Sequence, residues 1–467
     1  VLWVNAANWS DTPVPGTGNT ATFNSIGGAV DTIDLGSVTV QQIVFDTSNA
    51  AAYTLGSGAV NSQTLTFDNG GAVTVNSGVG YNQLFNAAII LGSDGTSQTI
   101  TLTDNSFVAI MTLAGNLTGS TGSGTKTLIV AGAGSSVIGG MIANGNGGTV
   151  NVTKNDAGAL TLSNNNSYTG TTTLNAGVLR AISNANALGA DAASLTLVGG
   201  KLDLANDSGL NFARNTTVTG NTVIASSRLT AGAGVTHTLG TLAIGAQTLS
   251  ISRGANVSSG AAGVAFGATT LSGAAVLNLG FGTLTTLGAV TDAGNTVSLQ
   301  GGGNLAQAGA WGGGAGGLTV SSSYRGTATL SQANTFTGAI TLQSGIGILA
   351  ANGNAGALGA GTLTLQGGVL DFNHSAGLNF GRNTTVNSNA TIISEKNAAG
   401  AGVTYTLGTL NMNGAYALTV RGGNVNSGTA GLIFGATTLN GNATLNTWNP
   451  TVGSASSAIS GNVLVML

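Results

Sequence analysis

Cysteine is absent from these 467 residues, which excludes a disulfide framework and any thiolate metal site. Charged side chains make up 5% of the chain, against about 25% in an ordinary soluble protein. With 11 Lys and Arg against 14 Asp and Glu, the net charge is -3, so too few cations exist to neutralise the phosphates of a nucleic acid. Disorder driven by charge is excluded as well, because 42% of the residues are hydrophobic. The long uncharged stretches, such as 254–291, alternate polar with apolar residues and are broken by glycine, so none reads as a membrane-spanning helix. Proline occurs three times, and no start methionine or signal sequence is present; Val1 is expected to follow a removed leader.

What the chain does have is repetition. GLNFARNTTV from Gly209 to Val218 returns as GLNFGRNTTV from Gly377 to Val386, and at the same offset FGATTL recurs with Phe266 answered by Phe434. This divides the chain into an acidic N-terminal segment, 1–147, a first repeat unit, 148–315, and an incomplete second unit, 316–467. Inside each unit runs a finer beat of short segments with period-two alternation, separated by Gly, Asn or Ser, as at Leu195 to Val198 and Leu363 to Gln366. Helical periodicity is nearly absent. Short, closely spaced strands within a tandem repeat predict an all-β, parallel β-helix, a β-solenoid rod on the order of 100 Å long, with separate β-sandwiches as the alternative.

Few charges survive the repeat. Asp203 matches Asp371, Arg214 matches Arg382, Arg228 matches Lys396 and Arg253 matches Arg421. Positions 203, 228 and 253 are evenly spaced, as a vertical charge stripe would be if each coil were about 25 residues long. Such a stripe serves either as a ligand-binding ladder or as an ion-paired seam that fixes register. Catalytic signatures are not found. All but one of the acids are Asp and they are scattered; the closest pair, Asp31 and Asp34, is expected on opposite faces of a strand. Neither histidine is duplicated, since His237 becomes Tyr405 and His374 matches Asn206. The turn-like Gly92 to Gly95 offers one acid, too little for a Ca2+ loop, and the glycine-rich 301–317 lacks the Lys and helix of a phosphate cradle. No catalytic residue, metal or cofactor is therefore assigned, and the chain is not expected to be an enzyme. A polysaccharide lyase or hydrolase is the third-ranked reading.

The text from Gly139 onward resembles the autotransporter-associated β-strand repeat, through Leu160, Leu162, Asn166, Tyr168, Thr169, Gly170, Gly177 and Leu179. A second copy uses Leu330, Asn334, Phe336, Thr337, Gly338 and Gly345, and the opening with Trp3, Trp9, Pro13, Pro15 and Phe23 looks like the start of large proteins of this kind. The resemblance implies a secreted, right-handed β-helical stalk or passenger at the bacterial cell surface. After Asn449 only a short tail remains, so an outer-membrane barrel is expected either beyond this chain or replaced by another export route.

Residues 1–125 hold seven acids and no Lys or Arg, whereas the remainder carries +4. An acidic end and a mildly basic body would steer copies head to tail. Trp3 and Trp9 form an expected cap or docking region. The apolar tail Val463, Leu464, Val465, Met466 and Leu467 is expected either to be the contact on the other side or to mark where a longer chain is cut. The reading from sequence is an extracellular structural subunit that polymerises with itself into a fibre or coat. The alternative is an adhesin whose Thr- and Asn-lined flank binds surface glycans.

Overall fold

The computed structural model describes residues 1–24, 30–190, 193–448 and 459–466; for residue 448 and for 459–466 only the backbone is described. Apart from one 3-10 turn, Ala6–Asn8, every regular element among them is a β-strand, and every described strand pairing is parallel. Parallel neighbours with no helix between them are joined by turns that carry the chain round to the next rung, which is the construction of a β-solenoid. The chain divides into two compact units, Val1–Gly240 with Gly254–Ser258, and Thr241–Arg253 with Ser259–Leu467. The division falls inside the first copy of the long sequence repeat.

In the first unit one face stacks Lys126–Ala131, Val150–Lys154, Thr172–Leu174, Ser194–Leu197 and Asn215–Val218. A second face stacks Ser135–Ile138, Ala159–Leu162, Val178–Ile182, Lys201–Ala205 and Thr222–Ser227. Period-two alternation decides which side chains are inside. Leu160, Leu179, Leu202 and Ile224 are register partners on successive rungs, and each is fully buried. The polar phase of the same alternation builds outward ladders, such as Thr153, Thr173, Thr196 and Thr217.

The second unit repeats this logic. Leu349, Leu370, Ile392 and Val420 form its buried column, while Thr319, Thr341, Thr364, Thr385, Asn411 and Thr438 form its outward one. Rungs are not equal in length. In the first unit Ala159 is registered against Val178, a short rung, whereas Thr54 is registered against Leu84, a much longer one. Turns absorb the difference while the strands keep their facing.

Candidate functional site

The repeated turn is densely hydrogen-bonded in each unit. Asn166 is 2% exposed; its Oδ1 accepts from the Ile142 amide at 2.8 Å, and its Nδ2 donates to the Ala187 carbonyl at 2.8 Å. One side chain thus joins the rung before to the rung after. Asn334 does the same in the second copy, accepting from Trp311 N at 2.7 Å and donating to Ala357 O at 2.7 Å. Tyr168 is buried just after the first Asn, its hydroxyl 2.6 Å from Thr172 Oγ1. Phe336 replaces it and packs 5.8 Å from the Trp311 ring. Gly170 and Gly338 close the turn where a Cβ would come within 2.2 and 2.3 Å of backbone carbonyl oxygens. Asn, aromatic and Gly are required here by the distance between rungs.

Charge is also consumed between rungs. Asp203 pairs with Arg180 Nε at 3.1 Å from the preceding rung and accepts from Ser227 Oγ on the following one. The even spacing of 203, 228 and 253 does not make a column of Asp203 and Arg228, because the register sets Asp203 against Ala225. Arg228 instead turns back to Asp207, 3.6 Å away, and to the Asp207 and Ala233 carbonyls. Arg214 is fully buried and donates to Phe212 O at 2.6 Å and Asn186 Oδ1 at 3.1 Å. Arg253 ends its strand exposed, and Arg382 is half-buried. Lys396 lends its backbone carbonyl to Asn424 Nδ2.

His237 is buried with both nitrogens engaged: Nδ1 accepts from Leu210 N at 3.1 Å, which leaves Nε2–H to donate to Ser227 O at 3.1 Å. Burial lowers its pKa. In the second unit Tyr405 stands at the matching position, its hydroxyl bonded to the backbone of His374 and Glu395. There Ala350 is registered against Asp371, as Arg180 is against Asp203, and Glu395 occupies the place of Ser227. Burial, with Glu395 adding to it and Arg421 opposing it, pushes the Asp371 carboxyl up to about 7. Arg421 shares the Asp371 column, with Ile393 between them.

A family model for the passenger-associated-transport-repeat matches residues 152–181 and 323–346, the two segments that contain these turns. Those two segments are similar to this repeat. Together, repeat and parallel β-solenoid fit an autotransporter-associated β-strand repeat protein of the passenger type. Neither the curated proteins nor the solved structures include a match.

Elsewhere in the first unit, two lysines missed in the sequence lie inside. Lys126 and Lys154 are 2% and 1% exposed, each on the apolar phase of its strand, KTLIV and VNVTK, which is the signal that could have found them. Their ammonium groups bond to turn carbonyls, Lys126 to Asp94 O at 2.9 Å and Lys154 to Asp156 O at 2.9 Å. Burial brings Lys154 down to about 8.

Trp3 is 1% exposed, its Nε1 bonded to Pro15 O at 2.9 Å, so the chain's own core holds it; Trp9 is half-buried against it and bonds to Trp3 O. In the tail, the backbone of Ile459–Met466 pairs with Val425–Phe434, setting Val463, Leu464, Val465 and Met466 against Gly431, Leu432, Ile433 and Phe434. Leu467 lies outside the described residues. A cleft of about 610 Å³ crosses several rungs of the first unit, lined by Thr64, Thr66, Thr118 and Asn144 together with Ala88, Ile89 and Ile90. Among the described residues no three His, Asp or Glu gather as a metal site, and no helix is long and apolar enough to cross a membrane.

Proposed function

We propose that this chain is a structural passenger at the bacterial cell surface, a scaffold that assembles head to tail into a fibre or coat. The observation that carries the reading is the use made of polar side chains. Asn166, Asn334, Asp203, Arg214, Lys126 and His237 all spend their hydrogen-bonding capacity on the chain's own neighbouring strands and turns. Such a chain is built to hold its rungs together, with stability summed from neighbour to neighbour. The division of charge, -7 in residues 1–125 against +4 in the rest, supports polar, oriented association between copies.

Negative-stain microscopy of the purified chain tests this. Filaments whose number rises with protein concentration and falls as salt screens the charge are the expected outcome. The threonines and Asn144 in the mixed lining of the cleft favour a second reading, an adhesin that binds neutral surface glycans. Separate particles at every concentration, together with signal on a glycan array, would replace the first reading with the second.

A further inference from the structure

One cavity of the first unit, about 340 Å³, takes no part in that scaffold role. Stretches far apart in sequence meet there. Trp9 lies edge-on to Trp3 at 4.9 Å and to Phe23 at 5.8 Å, and Phe23 lies 4.8 Å from Tyr53. Beside these rings is one acidic side chain. Strand Val30–Ile33 sets Asp31 against Tyr53 and Ile33 against Leu55, and alternation places the Asp31 carboxylate on the inward row with Ile33 while Val30 and Thr32 are exposed. Its proximity is felt at Tyr53, whose pKa is raised by burial and, in addition, by Asp31.

A carboxylate beside aromatic faces is the chemistry that recognises organic cations, since ring quadrupole and carboxylate attract the same sign of charge. Residues 1–125 contain no Lys or Arg, so no basic side chain of that segment opposes a cation here. Val1, which also borders the cavity, is exposed, and its backbone nitrogen donates to Thr32 O at 2.8 Å. An anionic ligand meets the wrong sign here, and a neutral sugar, whose hydroxyls can donate to the Asp31 carboxylate, leaves its charge without a counter-ion. We propose that this cavity binds a small organic ammonium group, its alkyl faces against Trp9 and Tyr53 and its charge towards Asp31.

Calorimetric titration with choline, and with 3,3-dimethylbutan-1-ol as its uncharged isostere, decides the matter. Choline is expected to bind about tenfold or more tightly than the isostere. Asp31→Asn should weaken choline by about tenfold and leave the isostere unchanged, and Trp9→Leu should weaken both. Equal binding of the isostere, tighter binding of glucose, full retention of choline by Asp31→Asn, or no choline binding to the unaltered chain would each overturn the proposal. Because the isostere comparison uses the unaltered protein, it decides even if a variant fails to fold. None of these readouts depends on filament formation.

Discussion

Asn166 joins two neighbouring rungs through one amide, so its replacement leaves a buried N–H and a buried carbonyl without partners. Asn166→Ala is expected to cost about 2 to 4 kcal/mol, read as a lowered midpoint in chemical unfolding, with a similar loss for Asn334→Ala. Asp371 makes a different prediction. Its carboxyl titrates at about 7 in the folded chain and near 3.8 when unfolded, so between those values the folded chain holds a proton the unfolded chain has released. Its contribution is therefore fully present below about pH 4 and is lost as pH rises through about 7. Asp371→Asn should flatten that fall, and identical melting profiles at pH 5 and pH 8 for both proteins would contradict it. The repeated turn could be recognised in the sequence, because Asn, aromatic and Gly recur at fixed spacing. Asp371's environment could not, since it depends on Ala350 standing where the first copy has Arg180.

At the scale of the strand, alternation separates what must be kept from what can change. Leu202 belongs to a fully buried column, and Leu202→Ala is expected to destabilise the chain by about 2 to 5 kcal/mol. Thr196→Val, on the outward Thr ladder, should change stability by less than about 0.5 kcal/mol, because neither hydroxyl nor methyl is enclosed there. A melting-temperature comparison of the two variants checks the contrast. Strand facing was legible in patterns such as Leu195 to Val198. Rung length was not, because turns of different size can close on the same strand spacing, and the assumption of one uniform rung misplaced Arg228 relative to Asp203.

Across the whole molecule, scarcity of charge sets the response to solvent. With only 11 basic and 14 acidic side chains in the whole chain, and Lys126, Lys154 and Arg214 shielded by burial, little stability rests on exposed ion pairs. Raising NaCl from about 0.05 to about 1 M should therefore shift the melting temperature by only about 3 °C or less, while any assembly steered by the acidic N-terminal segment dissolves. By itself the sequence determined the parallel solenoid and the repeat, because burying alternate side chains of short strands separated by small residues leaves the chain few other ways to fold. Which residues meet across rungs was decided only by tertiary structure. Strand pairing adds up unequal turns, and that sum brought Arg180 to Asp203, Glu395 to Asp371, and Asp31 to the rings of Tyr53 and Trp9.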